Sequence, residues 1–222
     1  MIQTQNGQIG KFFDVRVLVT GTAGRLGHAI AANLQPEHEV VGIDQCPSQF
    51  TTFVGSIGEG DLVRRAIEGC EAVIHTASLH APHITTHSRR QFVATNVQGT
   101  LNLLEAAIEC GVTRFVYSST TSVYGRAMED QNEAIWVTEE LAPQPRDIYD
   151  VTKIAAENLC REIAESSVHL SCVSLRVSRF FPESDRLTAI YRLYRGVDIR
   201  DCLLYTSPSP RDATLSRMPS SA

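Results

Sequence analysis

Short apolar runs alternate along the chain with longer segments in which apolar residues recur at helical spacing, up to about Leu175. Apolar runs of this length predict β-strands, and a period of about 3.6 residues predicts amphipathic helices. The predicted strands cover residues 15–20, 40–44, 72–77, 114–117 and 169–175, and the predicted helices cover 25–34, 61–68, 91–109, 147–165 and 187–195. Apolar strands separated by helices predict an α/β fold with a doubly wound parallel sheet.

Composition and charge narrow the classes of protein to which the chain can belong. Hydrophobic residues make up 43% of its 222 residues, which is enough for a buried core. The formal net charge of −5 argues against a nucleic-acid partner. No apolar run approaches the roughly 20 residues that span a bilayer, and the six cysteines form no C-x-x-C pair. We therefore expect a cytoplasmic protein with free thiols and no nucleic-acid or membrane partner.

Three glycines follow the first predicted strand. In VLVTGTAGRLGHAI, Gly21, Gly24 and Gly27 stand between that strand and the next helix. This spacing is typical of the Rossmann fold: the first glycine allows a tight turn, the second lets a pyrophosphate approach the backbone, and the third lets the helix pack on the strand. A plain strand-to-helix turn is the alternative. We predict that a dinucleotide binds at the N-terminus of this helix.

Asp44 ends the second predicted strand and indicates which dinucleotide binds. A carboxylate at this place accepts hydrogen bonds from the adenosine ribose and repels a 2′-phosphate. Gln45 follows, and no Arg or Lys stands beside it to bind that phosphate. NAD is therefore predicted over NADP; the alternative for Asp44 is a residue that simply forms a turn.

Tyr149 and Lys153 lie four residues apart in a predicted helix, so their side chains share one face. A nearby ammonium favours tyrosinate over phenol, and the phenol can then exchange a proton with a substrate alcohol during hydride transfer. Thr120 follows the strand at 114–117 and offers a hydroxyl group to the same oxygen. A surface Tyr–Lys pair is the alternative. We predict Thr120, Tyr149 and Lys153 as the catalytic residues.

Taken in order, these motifs resemble a known family. The segments TGTAGRLG, VVGID, VIHTAS, TNVQGTLNLLEAA, VYSSTTSVYG and YDVTK resemble the extended short-chain dehydrogenase/reductases, specifically their NAD-dependent epimerase/dehydratase group. The resemblance implies a homodimer formed through the predicted helices 91–109 and 147–165. It also implies that NAD is bound by Gly21, Gly24, Arg25, Leu26, Gly27, Asp44, Ser56, Ile57, Ala77, Asn96, Tyr149 and Lys153.

Two positions depart from the family pattern. Ser56, before Ile57, replaces the usual Asp near the adenine, and a neutral hydroxyl binds the adenine amine more weakly. Arg179 stands where sugar-nucleotide epimerases usually carry Asn beside the substrate diphosphate, and it is a candidate substrate contact. The expected function is epimerase or dehydratase chemistry on a sugar or sugar nucleotide. The alternatives are a net NAD(P)-dependent dehydrogenase or reductase of an aldose, a uronate or another carbonyl compound, and a non-catalytic NAD-binding protein.

Three histidines, His80, His83 and His87, occur in the segment LHAPHITTH. Their spacing suits metal ligands, but no carboxylate or Cys accompanies them, and Pro82 should interrupt a helix that would align the rings. We therefore expect no metal site and predict that His80 or His83 contacts the substrate. His75, inside the strand at 72–77, is predicted to pack in the core.

The C-terminal segment differs from the rest of the chain. Residues 202–222 are rich in Ser, Pro and Arg, show no periodicity, and resemble the translation of a sequencing adaptor. The expected organisation is a flexible leader (1–13), an NAD-binding Rossmann domain with the start of a substrate lobe (14–201) and a disordered tail (202–222). Because family members continue into a larger substrate lobe, we expect a truncated and poorly active chain.

Overall fold

The structure, a computed structural model, describes residues 15–129, 135, 137–138 and 140–178. In these ranges the strands are β1 (Arg16–Thr20), β2 (Glu39–Asp44), β3 (Phe53–Val54), β4 (Ala72–His75), β5 (Arg114–Thr120) and β6 (Ser171–Val177). The α-helices are α1 (Arg25–Leu34), α2 (Gly60–Ile67), α3 (Arg89–Phe92), α4 (Gly99–Glu109) and α5 (Ile148–Ser166), and a 3₁₀-helix (Ala81–Thr85) follows β4. The predicted leader, the helix at 187–195 and the tail lie outside the described residues.

The six described strands form one parallel sheet in the order β3-β2-β1-β4-β5-β6. The predicted α/β fold with a doubly wound parallel sheet is confirmed. The order reverses between β1 and β4, and sheets of this kind bind ligands outside the carboxyl ends of their strands at such a point. Strand β3 was not predicted, because two residues are too few to show an apolar pattern.

Apolar side chains cover both faces of the sheet. The larger cluster packs α2, α4 and α5 on one face, around Leu18, Val73 and Phe115. The smaller cluster packs α1 on the other face through Val19 and Ile30. Since both faces are covered, the central strands have no solvent side, which explains why their sequences are continuous apolar runs.

The helix predicted over 91–109 contains a wider turn. It begins as α3 after Ser88, which forms a capping box with Gln91. A π-helix (Val93–Gln98) then precedes α4, and Gly111, with a φ of +73°, follows the end of α4 as predicted. One π-helical turn hardly alters the apolar spacing, so the sequence could not show it.

Strand β5 extends beyond its predicted end at residue 117 to Thr120. Its last three residues have hydroxyl side chains, yet they pair in register with β6, and Thr120 lies opposite Val177. The extension brings the Thr120 hydroxyl to the carboxyl edge of the sheet.

Within the described ranges, none of the helices has the combined length and apolar character that crossing a membrane requires. The cysteines in these ranges are free thiols.

Candidate active site

The glycine turn between β1 and α1 leaves almost no space for side chains. Gly21 has a φ of +77°, and a Cβ there would lie 2.8 Å from Thr76 Oγ1 and 2.9 Å from the Ala77 nitrogen. A Cβ on Gly27 would lie 2.2 Å from the Gly21 carbonyl oxygen. No side chain of the described residues caps α1 at Gly24, and its first turn holds no acidic residue. The helix N-terminus therefore presents its positive end to an anion.

Asp44 connects the glycine turn to the end of β2 through hydrogen bonds. One carboxylate oxygen accepts the Ala23 N–H at 2.9 Å, and the other accepts the Cys46 N–H at 2.9 Å. The first turn of α1 begins beside it with an exposed Arg25 and a half-buried Leu26. Each carboxylate oxygen keeps a second lone pair, so Asp44 can still accept hydrogen bonds from a ribose.

Ser56 and Ile57 follow β3 at the same edge of the sheet. The Ser56 hydroxyl accepts the Gly58 N–H at 3.1 Å and is half-buried. Ile57 is buried against α4, where its side chain would lie 2.7 Å from a Cβ placed on Gly99. The contacts of both residues with an adenine stay predictions.

Thr20, the last residue of β1, joins the glycine turn to the end of β4. Its buried hydroxyl accepts the N–H groups of Thr76 (3.1 Å) and Ala77 (3.0 Å), so it donates its own proton to His75 Nδ1 (2.7 Å). His75 Nε2 then donates to Thr100 at 3.0 Å. Burial lowers the pKa of His75 to about 3, which leaves the imidazole neutral. His75 is a core residue, as predicted, and Ala77 is held beside the glycine turn.

Tyr149 and Thr120 meet at the carboxyl edge of the sheet. Tyr149 lies in the first turn of α5 and is 8% exposed, while Thr120 ends β5. The Thr120 hydroxyl interacts with the Tyr149 phenol closely enough to lower its pKa, and Thr120 Oγ1 accepts the Ser122 N–H at 3.1 Å. The structure thus brings together the two hydroxyl groups that the sequence pairs.

Lys153 is buried one helical turn after Tyr149. Its Nζ donates to the Ser118 carbonyl oxygen at 2.5 Å and lies 4.3 Å from the centroid of the Tyr117 ring. Burial lowers the pKa of Lys153 to about 7. The ammonium is therefore directed toward β5.

The pKa of Tyr149 differs from the sequence prediction, which held that the Lys153 ammonium favours tyrosinate. Burial instead raises the pKa of Tyr149 to about 12; the Thr120 hydrogen bond lowers it, and the carboxylates of Asp150 and Asp147 raise it. The Lys153 ammonium contacts β5, through the Ser118 carbonyl and the Tyr117 ring. Desolvation of the phenol outweighs the neighbouring cation.

Asn96, in the π-helix between α3 and α4, holds the loop after β4 against α5. Its Oδ1 accepts the Leu79 N–H at 2.7 Å, and its Nδ2 donates to the Leu79 carbonyl and to Thr152 Oγ1, each at 3.0 Å. Both amide hydrogens are used within the protein, so Asn96 acts on the site by fixing Leu79. A direct contact between Asn96 and a cofactor stays a prediction.

The 3₁₀-helix after β4 and the residues that flank it bring the three histidine rings into contact, His80 with His83 and His83 with His87. The ring centroids of His80 and His83 are 5.8 Å apart, and those of His83 and His87 are 5.2 Å apart. The expectation that Pro82 interrupts a helix at this place is wrong, because Pro82 lies in the first turn of the 3₁₀-helix, where a helix tolerates proline. The His80 ring also lies beside Tyr149, with centroids 6.2 Å apart.

Arg179, the third predicted substrate residue, lies outside the described residues. Within the described ranges, no group of three or more His, Cys, Asp or Glu residues is arranged to hold a metal ion. A cavity of about 840 Å³ lies between α5 and β6, lined by Cys160 and Arg176 among others but not by Tyr149 or Lys153.

Two buried carboxylates that the sequence analysis missed support the site. Asp150 accepts the Ser122 hydroxyl at 2.6 Å. Glu157 accepts the Ser119 hydroxyl and forms a 2.8 Å ion pair with Arg176. Both carboxylates tie α5 to β5 or to the turn that follows it. The available signal was the position of both acids on the buried face of an amphipathic helix, where unpaired carboxylates are rare.

Comparison with known proteins decides the family. The sequence model of the NAD dependent epimerase/dehydratase family matches residues 17–195. The chain belongs to this family. This match confirms the resemblance seen in the motifs. The family is named for its dependence on NAD, the cofactor that was predicted from Asp44.

The chain is similar to several known proteins, of which three are described. The chain is 32% identical over 195 residues to a 3-beta-hydroxysteroid dehydrogenase of Mycolicibacterium neoaurum, covering 82% of this chain and 52% of the relative. A short-chain dehydrogenase/reductase superfamily protein from Agrobacterium tumefaciens with bound NAD has a TM-score of 0.67 and 35% identity, over 75% of this chain and 50% of the other. The Thermus thermophilus UDP-glucose 4-epimerase complex with NAD has a TM-score of 0.67 and 28% identity, over 77% and 57%. The chain spans about half the length of the curated relatives that it matches.

Proposed function

We propose that the chain carries the NAD-binding and catalytic part of an enzyme that oxidises, and then re-reduces or rearranges, a hydroxyl-bearing carbon of a sugar or sugar nucleotide. The observation that carries this proposal is that Tyr149, at the start of α5, and Thr120, at the end of β5, interact through their side chains at the carboxyl edge of the sheet. Tyr149 exchanges the proton of the substrate oxygen, and Thr120 holds that oxygen in place.

The glycine turn fits the cofactor. Gly21, Gly24 and Gly27 would hold the pyrophosphate against the first turn of α1, since the turn itself admits no side chain. Asp44 would bind the adenosine ribose and disfavour a 2′-phosphate. When bound, NAD supplies the acceptor for the hydride. The two structural relatives solved with NAD support this assignment.

Tyr149 is a proton donor in its resting form, because a pKa of about 12 keeps the phenol protonated at neutral pH. It can donate to a substrate carbonyl oxygen without prior ionisation, whereas its removal of an alcohol proton becomes faster as the pH rises. Lys153, with a pKa of about 7, can exchange a proton near neutral pH. Both side chains are buried, which restricts proton exchange with bulk water.

A net dehydrogenase is the second candidate, and the likeness to a 3-beta-hydroxysteroid dehydrogenase favours it. The same residues would act, but the reduced cofactor would leave without returning its hydride. NADH would then accumulate in proportion to product, which absorbance of the reduced nicotinamide measures. An epimerase would interconvert two sugars without net NADH.

The variant Tyr149→Phe tests the enzymatic proposal and its non-catalytic alternative. It removes the exchangeable proton and keeps the ring, so turnover of UDP-glucose, a uronate or a 3-beta-hydroxysteroid should fall by about 10²–10⁴-fold. Calorimetric titration should show that NAD still binds. Tyr117→Phe is the matched control, because among the described residues the buried Tyr117 hydroxyl has no hydrogen-bond partner. Unchanged turnover in Tyr149→Phe would favour a non-catalytic NAD-binding protein.

We also propose that two chains form a homodimer through the long helices α4 and α5 and the π-helix before α4. Three aliphatic side chains on these helices, Val93, Ile108 and Val151, are 47%, 47% and 48% exposed. Burying them against a second copy would remove apolar surface from water.

A further inference from the structure

His80 borders the candidate active site and has no role in the scheme above. Its ring lies edge-on to the Tyr149 ring, with the centroids 6.2 Å apart and the planes inclined at 63°. Tyr149 is buried, whereas His80 is exposed. The imidazole is therefore an accessible polar group directly beside the buried phenol.

The loop fixes the backbone on both sides of this ring. Asn96 holds the N–H and the carbonyl of Leu79 at 2.7 Å and 3.0 Å. The His80 N–H donates to His83 Nδ1 at 2.9 Å, and the His80 carbonyl accepts the His83 N–H at 2.9 Å. Because the backbone is held before and after the side chain, the imidazole is preorganised for a ligand.

The His80 ring keeps one nitrogen for a ligand. Among the described residues, Nδ1 faces the Ser78 hydroxyl at 3.5 Å, and the side chain also takes part in a capping box with the His83 N–H. Contact with the surrounding protein, and then the charges of Lys153 and His83, lower the pKa of His80. The imidazole is thus neutral at pH 7, and its Nε2 offers a hydrogen bond without a charge. This chemistry suits a hydroxyl or carbonyl oxygen, whereas a phosphate is bound more strongly by a cation.

We propose that His80 binds a second substrate oxygen, on the carbon next to the one held by Tyr149 and Thr120. The proposal rests on the function proposed above and names the substrate class of the same site. Sugars, sugar nucleotides and uronates carry such a neighbouring oxygen, whereas a 3-beta-hydroxysteroid carries a lone hydroxyl on an apolar frame. Binding the steroid would leave His80 desolvated and unpaired, so His80 selects polyhydroxylated substrates.

The experiment compares kcat/KM for UDP-glucose and D-glucuronate with kcat/KM for the steroid pregnenolone, at saturating NAD. The variants are His80→Ala, which removes the hydrogen bond, and His80→Gln, which can still form one. His87→Ala is the control, because its ring belongs to the same loop but bonds to Thr86 at 2.9 Å. We expect His80→Ala to lower kcat/KM for the hydroxylated probes about tenfold or more, mainly by raising KM. For pregnenolone, kcat/KM should change little. His80→Gln should restore part of the loss. His87→Ala should leave kcat/KM unchanged for both classes of probe.

Several outcomes overturn the assignment of His80: an equal loss for both probe classes, no loss in His80→Ala, or a wild-type chain that prefers pregnenolone or acts on neither hydroxylated probe. Tyr149→Phe separates this failure from failure of the proposed function. If Tyr149→Phe keeps full turnover, the proposed function fails. If it loses turnover while the His80 variants keep the wild-type ratio, the His80 proposal alone fails.

Discussion

At the scale of the residue, the hydroxyl of Thr120 allows a direct test of the proposed catalytic scheme. Thr120→Val keeps the side-chain shape but removes the oxygen that contacts Tyr149 and Ser122. We expect kcat/KM to fall about 10–100-fold, since a hydrogen bond to an oxygen that develops charge is worth about 1.5–3 kcal/mol. Thr120→Ser keeps the hydroxyl and should keep most of the activity. Initial rates measure the effect; equal rates in the two variants would remove Thr120 from the catalytic scheme.

Lys153 should make the stability of the fold depend on pH. Its folded-state pKa of about 7 lies below the value of about 10.4 for an unfolded chain. Between these values the unfolded state binds a proton that the folded state has released, so the free energy of unfolding rises with pH. Relative to Lys153→Met, the wild type should gain on the order of 4 kcal/mol between pH 7 and pH 10.

Urea unfolding of the wild type and Lys153→Met at both pH values measures this gain. The ionisation of the tyrosines is common to the two proteins and cancels in the difference. A difference in stability that does not change with pH would mean that Lys153 keeps an ordinary pKa in the fold.

The residues that sequence could predict belong to local motifs. Gly21, Tyr149 and Lys153 are recognisable because each belongs to a short motif with fixed spacing, either the glycine turn or the Tyr–Lys pair four residues apart. Thr20 and Asp150 escaped prediction because their partners come from other parts of the chain: Thr20 contacts a histidine 55 positions away. The raised pKa of Tyr149 escaped for the same reason, since burial depends on the packed structure.

At the scale of the element, the close contact between the start of α1 and the end of β1 allows a sharp test. Gly27→Ala would place a Cβ 2.2 Å from the Gly21 carbonyl oxygen and 2.9 Å from Thr76 Oγ1, so the helix must move. We expect NAD binding, measured by calorimetry, to weaken about tenfold or more, and the free energy of unfolding to fall by about 1–3 kcal/mol.

Gly60→Ala, at the start of α2, is the matched control for this substitution. The nearest atom to its new Cβ would be Arg64 Nη1, at 3.9 Å. Stability should stay unchanged or rise by about 0.4–1 kcal/mol, and NAD affinity should not change. Equal effects of the two substitutions would contradict a specific role for the packing at Gly27.

Elements with a clear period were predicted well, and elements defined by tertiary contact were not. Helix α1 begins and ends at the predicted residues. Strand β3 forms because its two residues pair with the end of β2, and β5 is lengthened by pairing with β6. The π-helix contains Asn96, whose side-chain partners, Leu79 and Thr152, come from outside that segment.

At the scale of the whole molecule, the proposed homodimer can be tested without disturbing the core. Val151→Asp places a charge on the outer face of α5, where Val151 is 48% exposed. We expect a dimer for the wild type and a folded monomer for the variant, measured by light scattering after size exclusion. Val168→Asp is the control, because Val168 follows α5 and is 92% exposed. A monomeric wild-type chain would contradict the proposal.

The order of the strands could be inferred in outline before the structure. Parallel strands joined by helices cross over with a right-handed turn, which restricts the topology to few arrangements. A glycine turn after the first strand then favours the arrangement in which the order reverses between β1 and β4. The ion pair between Glu157 and Arg176 could not be inferred in this way, because it joins a helix to a strand through side chains alone.

The hydroxyl of Thr20 has a consequence for local unfolding. Because it accepts the amide hydrogens of Thr76 and Ala77, these two protons exchange with deuterium only when the segment after β4 separates from β1. The base of the glycine turn and the centre of the sheet should therefore unfold locally together, as one cooperative unit. In native-state exchange, Thr76 and Ala77 would be protected as strongly as strand amides, although neither residue lies in a strand.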